Sequence, residues 1–377
     1  MHSGPGHSGA AVLAAFHAAI LTQGLVIVMA LAFLWLLRTA MRGGKPGLKG
    51  DNSNRHGMLA WVLPPGEPRG RRTLRISFGL LWLIDGLLQA QPQMPLGLPS
   101  QVIVPSAQGS PGWVRALVNW GAAGWVHHPA QEAAAAIWIQ AGIGLWLLAV
   151  PGGRWSRLGG AASVAWGLGV WAFGESFGGI LAPGLSWLDG APGAVLLYAV
   201  AGVLLMLPVG AWRTRRPGQA LMGLLGVFFL GMAALQAWPD NGFWQGGSGG
   251  AVASMASSMA QTTQPGFLAS LLNGFSAFTA ANAFAVNLAV VAVLIVVGGA
   301  CLLGTFRGPS SLVRAVVIAG SVFCLAVWVL VQDLGVLGGL GTDPNSMIPL
   351  IALLASGYAA LSPGASIEAS MVSIAAW

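Results

Sequence analysis

Three titratable side chains lie where the surrounding sequence is almost wholly apolar. Asp85 sits in Trp82-Leu83-Ile84-Asp85-Gly86, Glu175 in Phe173-Gly174-Glu175-Ser176, and His17 in Ala15-Phe16-His17-Ala18. If these runs cross a membrane, a charge at the centre of the bilayer costs about 2.5–3.5 kcal/mol on insertion scales. Acids kept there commonly handle protons, ions or substrate. His17, Asp85 and Glu175 fall at one depth on separate helices, so together they would make a proton-bearing pocket. Trp82 and Trp171, one turn before each acid, would supply stacking walls. The competing reading is a structural network in which each acid is capped by a neighbouring helix. Depth is legible in the sequence; adjacency is not.

Other reactive residues carry less. His127 and His128 precede Pro129, with Glu132 one turn on, and His2 and His7 lie near the N-terminus. Imidazole and carboxylate suit copper or zinc. Adjacent histidines point apart, however, and no Cys-x-x-Cys or His-Glu-x-x-His spacing accompanies them, so no metal is expected. Cys301 and Cys324 read as small buried apolar residues rather than a redox pair. His17 is the only histidine well inside an apolar run, which leaves no bis-histidine haem site. No Gly-x-Gly-x-x-Gly follows a strand, and the sequence offers no phosphate loop and no nucleophile elbow on a strand-to-helix turn.

The elements that must position these residues follow from composition. The 377 residues are 7% charged and 55% hydrophobic, with mean hydropathy +0.74. Soluble domains carry about 25% charged residues, so a soluble enzyme is excluded, and so is disorder. Nine apolar segments stand out, at 10–37, 74–91, 130–150, 158–180, 191–211, 220–237, 284–304, 314–335 and 347–362. In lipid the backbone must satisfy its own hydrogen bonds, so each reads as a helix. The expected fold is all-α, a polytopic bundle of about nine spans.

The net charge of +7 would suggest nucleic acid if the basic residues formed one solvated patch. They are scattered between apolar runs instead and read as a topology code. With the N-terminus outside, every Lys and Arg except Arg115 falls in or beside a cytoplasmic loop, as the positive-inside rule requires. Acids lean the other way, with Glu132, Asp189, Asp240 and Asp343 outside. The basic 38–73 loop is expected to touch anionic lipid headgroups, and 244–264 reads as a flexible low-complexity outer loop.

The chain also repeats itself. Leu88-Gln89-Ala90-Gln91-Pro92 matches Leu235-Gln236-Ala237-Trp238-Pro239. Pro111-Gly112-Trp113 with Leu117-Val118-Asn119 matches Pro265-Gly266-Phe267 with Leu271-Leu272-Asn273. Trp171-x3-Glu175-x-Phe177-Gly178 matches Trp328-x3-Gln332-x-Leu334-Gly335. The Pro-Gly-aromatic segments 111–120 and 265–275 read as short interfacial helices. Each copy holds an even number of spans, so the two units are expected to be parallel. The segments are then an N-terminal helix (1–37), a basic cytoplasmic loop (38–73), two four-helix repeats (74–212 and 213–362) and a cytoplasmic tail (363–377). Asp85 aligns with Met232 and Glu175 with Gln332, so the second copy has lost both acids, although Asp333 stands beside Gln332.

From Arg75 to about Leu207 the chain resembles the DoxX/DoxD family of membrane proteins. The likeness rests on Arg75-x3-Gly79-Leu80-x4-Asp85-Gly86, Glu132, Gly142-x-Gly144-Leu145, Arg154, Arg157 and Trp171-x3-Glu175. A weaker likeness continues through the second copy to about residue 360. The chain departs from that family in its duplication and its extra first helix. The resemblance implies a subunit like the large subunit of thiosulfate:quinone oxidoreductase, carrying electrons from an outer sulfur donor to membrane quinone. Glu175, Asp85 and His17 would then manage protons, with Trp171 and Trp82 beside the quinone. His127, His128 and Glu132 would face the donor or a partner subunit. The expected location is the bacterial or archaeal inner membrane, with lipid, quinone and a soluble or membrane subunit as partners and no nucleic acid. Whether the chain is a catalyst by itself stays open, and two alternatives stand beside this reading. One is a proton-coupled transporter; the other is a non-catalytic structural or assembly subunit.

Overall fold

The computed structural model describes residues 9–41, 66–337 and 339–363. Among these the chain is all-α, with no strand. The principal helices are α1 (Gly9–Met41), α2 (Arg69–Leu88), α3 (Gly112–His127), α4 (Pro129–Ala149) and α5 (Gly153–Phe173). They continue as α6 (Ala194–Met206), α7 (Arg216–Ala237), α8 (Ala251–Ala260), α9 (Gly266–Arg307), α10 (Ser311–Leu330) and α11 (Met347–Ala360). Helical turns at Met94–Gly97, Leu98–Ile103 and Val104–Ser106 run on from one another between α2 and α3.

Five of these helices are long and apolar enough to cross a membrane: Gly9–Leu36 within α1, then α4, α7, α9 and α10. The other four expected spans are helical too but fall short for physical reasons. α2 holds Arg69, Arg71, Arg72 and Arg75, and α5 holds Arg154 and Arg157 among glycines. α6 and α11 have 13 and 14 residues, which reach about 20 Å at 1.5 Å per residue.

Glycine sets the closest helix crossings. A Cβ on Gly144 would stand 2.7 Å from the Gly79 carbonyl oxygen and 2.8 Å from Leu83 Cγ, so α2 and α4 meet backbone to backbone. A Cβ on Gly298 would stand 3.0 Å from the Gly226 carbonyl oxygen and 2.9 Å from Leu230 Cγ, at the α7–α9 crossing. The same register joins both pairs. Small residues let backbones approach and gain dispersion contacts where lipid offers no hydrophobic drive. α11 then packs on both α2 and α7, with Ala360 against Gly70 and Gly218.

α1 stands apart and packs chiefly on α4. Phe16 is fully buried there, Gly24 accommodates the Trp138 ring, and Trp138 Nε1 donates to the Ile20 carbonyl at 3.1 Å. Beyond that contact, Leu25 through Leu36 are largely exposed.

Most basic residues gather at one end of the bundle, and two of them are buried there. Arg71 and Arg75 are 1% and 0% exposed and share Glu67, with N–O distances of 2.6 and 2.8 Å. Arg75 Nη1 also donates to the Leu147 and Leu148 carbonyls at 3.0 and 2.8 Å, and Arg71 to Pro151 and Ser156. The Arg75 guanidinium thus caps C-terminal carbonyls of α4, which the helix itself leaves unpaired, while Arg71 ties the loop after α4 to the start of α5. The rest of the basic loop expected to meet lipid (residues 42–65), His2, His7 and the tail after 363 lie outside the described residues.

Two local expectations change. Segment 244–264 is not simply loop: Ala251–Ala260 is helical, with Val252, Ala253 and Ala256 buried, because Ala and Met favour helix and bury readily. The 265–275 segment is helical but longer than expected, running from Gly266 to a non-helical break at Asn282 (φ −127°, ψ 30°), past which α9 continues. His128 (φ −137°, ψ 57°) breaks the chain in the same way between α3 and α4. There Pro129 follows and completes the break, since proline disfavours helical geometry in the residue before it.

Candidate functional site

The end opposite Arg71 and Arg75 holds a cavity of about 420 Å³. Its floor is α2, which contributes Trp82, Asp85 and Gln89 on one face at i, i+3 and i+7. α4 adds Glu132 and Gln140, and α5 adds Trp166 and Phe173 with Glu175 just past its end. Trp120 and Trp125 of α3 form part of the wall. Thr342 and Asp343, from the loop between α10 and α11, complete it.

Each side chain is held by local structure. Asp85 is 2% exposed and accepts from the Tyr198 hydroxyl at 3.3 Å. That tyrosine packs edge-on against Phe78 and Trp82, with ring centroids 5.3 and 4.7 Å away. Trp82 Nε1 donates to Ser163 Oγ at 2.9 Å, so α2, α5 and α6 are tied around one aromatic cluster.

Glu175 is fixed by an unusual turn. Ser176, Phe177 and Gly178 all have positive φ (52°, 60° and 59°), a region costly for residues with a side chain. A Cβ on Gly178 would overlap the Pro192 carbonyl, so only glycine fits. The turn stops α5 and lets Glu175 Oε1 accept from the Val195 backbone N–H at 3.2 Å, at the N-terminus of α6. Asp333, Leu334 and Gly335 repeat the turn after α10 (φ 51°, 61° and 63°). There Gln332 replaces the glutamate and donates to Ser346 Oγ at 3.1 Å and the Leu188 carbonyl at 3.2 Å.

Asp343 accepts from the Asn345 backbone N–H at 2.7 Å and from the Thr342 hydroxyl at 3.0 Å. Desolvation nevertheless raises its pKa above the ordinary carboxylate value, and these two hydrogen bonds oppose the shift. With Asp85, Glu132 and Glu175, it makes the cavity lining acidic, and among the described residues no basic one shares that lining.

Of the residues picked out by sequence, Asp85, Glu175 and Trp82 meet in this cavity. His17 does not: its side chain is exposed on α1, and it is not among the lining residues. Trp171 is not a wall either. Its indole donates to the Pro192 carbonyl at 2.7 Å and packs edge-on against Phe177. Trp328 repeats that bond to the Pro344 carbonyl at 2.8 Å, so both tryptophans buttress the turn behind the acid. Glu132 faces the cavity, while His127 and His128 are exposed beside it. Cys301 and Cys324 are buried free thiols.

Sequence reasoning missed Tyr198, Gln89, Gln140, Trp166 and Asp343. Tyr198 was the most findable, since a phenol inside an apolar run needs a partner. Gln140 carries the same signal in the middle of α4. Asp343 read only as one of the acids expected outside, because only the tertiary fold carries its loop across to the first half.

A second cavity, of about 330 Å³, lies among α8, α9 and α10. In the register of the two Trp-x3-Glu/Gln motifs, Trp166, Val170, Phe173 and Gly174 correspond to Phe323, Val327, Leu330 and Val331. Both sets line their cavities. The second lining is wholly apolar, and Leu188 from the segment between α5 and α6 takes part in it. Each cavity is therefore completed by the opposite half of the chain.

Comparison with protein-family models, with curated proteins and with solved structures finds no match for this chain.

Proposed function

We propose that this chain is a multi-pass protein of the inner membrane, with nine crossings, its N-terminus outside and two parallel four-helix repeats behind a lone first helix. Its acid-lined cavity would bind the ring of a membrane quinone, in a redox process fed from the outer side. The observation that carries the reading is the convergence of Asp85, Glu175 and Trp82 on one cavity of ligand size. Reducing a quinone consumes two electrons and two protons, one per ring oxygen. Asp85 and Glu175 would hold and pass those protons, and Trp82, Trp120 and Trp166 would enclose the ring and exclude water. An outer donor or partner subunit would deliver the electrons, in line with the DoxX/DoxD likeness.

The repeated glycine crossings, the repeated left-handed turns and the corresponding cavities support duplication. The gathering of basic residues at the end away from the cavity supports the proposed orientation. Quinone reduction in membranes carrying Glu175→Gln or Asp85→Asn tests the function. Each variant is expected to lose at least about tenfold in rate, since positioned acid–base groups contribute about 10²–10⁴-fold. Wild-type rates in both would overturn it.

One observation favours a second reading, proton-coupled transport: Thr342 and Asp343 bring the second half into the first half's cavity. Sites between repeats are where transporters hold substrate. Uptake into proteoliposomes that depends on a pH gradient and fails in Glu175→Gln would select this reading.

A further inference from the structure

The proposed redox chemistry makes no use of the cavity of about 330 Å³ among α8, α9 and α10. Among the described residues its lining is alanine, valine, leucine and phenylalanine throughout. α5 and α10 supply corresponding positions to the two cavities, and α4 and α9 do so too. Counted back from Gly144 and Gly298, Glu132 stands where α9 has Val286, and Ala136 where it has Val290. Val286 and Val290 line the apolar cavity as Glu132 and Ala136 line the other. The glutamine that the second half keeps is turned elsewhere. Gln236, the counterpart of Gln89, donates to Asn287 Oδ1 at 2.8 Å, and Asn287 Nδ2 donates to the Gln236 carbonyl at 3.3 Å. That pair is buried between α7 and α9, and neither residue lines the cavity.

This lining restricts what fits. Water needs polar partners, so apolar cavities stay dry and take up apolar molecules instead. The volume lies within the range of ligand sites, about 300–1,000 Å³. An apolar occupant supplies the dispersion contacts that the lining lacks on its open side. The mouth shows what reaches it. Ala285, Ala289 and Ala326 line the cavity and are exposed, and Phe278, which also lines it, is 56% exposed. Phe284 and Leu288 on α9, with Val322 and Leu325 on α10, are exposed around these alanines. Both helices are long and apolar enough to cross a membrane, so in a bilayer this mouth meets hydrocarbon. We infer that the second cavity is a lipid site, in which one acyl chain of a phospholipid enters between α9 and α10. The chain lies against Val290 and Val327 and fills the space beneath α8, a helix of only 10 residues. The inference rests on the membrane-spanning reading of α9 and α10 and is independent of the quinone.

The test is photolabelling of the whole protein in nanodiscs of phosphatidylcholine that carries a diazirine midway along one acyl chain. Labelled residues are located by mass spectrometry. Label is expected on Val290 and Val327, which are 7% and 5% exposed and so lie out of reach of lipid on the outer surface. Val317 of α10 is equally buried but does not line the cavity, and it is expected to stay unlabelled. Ala289→Trp and Ala326→Trp each place a bulky ring in the mouth, at exposed positions where substitutions usually leave stability unchanged. Each variant is expected to lose the label on Val290 and Val327 and to keep it on exposed Leu25–Leu36 of α1, which also shows that it is folded and inserted. No label on either valine of the wild type, or label that persists in both variants, overturns the inference. Label from a diazirine-bearing isoprenoid and none from the phospholipid overturns it too. Absence of label on α1 and on the valines together overturns the membrane-spanning reading and this inference with it.

Discussion

Asp343 shows how one residue's surroundings become a measurable property. Burial in the cavity wall raises its pKa above 3.8, its ordinary value. The native state therefore keeps a proton that the unfolded chain has already released. Stability then falls as pH rises through the window that opens near 3.8 and closes at the raised value. Asparagine cannot ionise and still accepts the Asn345 N–H. In thermal unfolding in detergent, Asp343→Asn is expected to match the wild type near about pH 4 and to exceed it at about pH 7. An equal melting temperature at both pH values would show that the carboxyl is freely solvated. The same residue illustrates what sequence hides. Asp85 and Glu175 announced themselves as acids in apolar runs, whereas Asp343 lies in a Gly-rich loop, where an acid marks only an expected outer side.

At the scale of the helix, the glycines at the crossings matter more than the apolar residues around them. Gly144 and Gly298 each place a backbone against the carbonyl of a facing glycine, so a larger side chain forces the pair of helices apart. Gly144→Val and Gly298→Val are each expected to cost about 1–3 kcal/mol of stability, the usual range for overpacking. The two differ in function. Gly144→Val shifts α4 against α2 and so disturbs Asp85 relative to Gln140, whereas Gly298→Val acts on the half with the apolar cavity. Melting temperatures should fall in both, and ligand binding at the acid-lined cavity should weaken only in the first. Unchanged melting in both would mean that the crossings are looser than described. That helices exist at these places was legible from apolar run lengths. That the helix beginning at Gly266 runs on to a break at Asn282 was not, because no proline marks that break as Pro129 does after His128.

For the whole molecule the decisive property is sidedness. Glu67, Thr214 and Pro309 lie at the basic end, whereas Gln108 lies in the segment between α2 and α3 at the cavity end. Cys301 and Cys324 are buried and give little background with a membrane-impermeant thiol reagent. Gln108→Cys is expected to label from outside intact cells, and Thr214→Cys only after the membrane is opened. The reverse pattern would invert the proposed orientation.

Sequence alone determined what depends on composition and order. Few charges and long apolar runs dictate a helical membrane protein, since backbone groups in lipid have no other partners. Matching motifs in the same order and at nearly constant offset carry the proposed duplication, and Asp85 and Glu175 stood out by their apolar neighbours. Tertiary structure decided what depends on where helices cross. It brought Asp85, Glu175 and Trp82 together, left His17 on an outlying helix and turned Trp171 into a buttress. It also carried Asp343 across from the second half. Spacing along a helix fixes which side chains share a face, but which faces meet depends on close glycine contacts far apart in the chain.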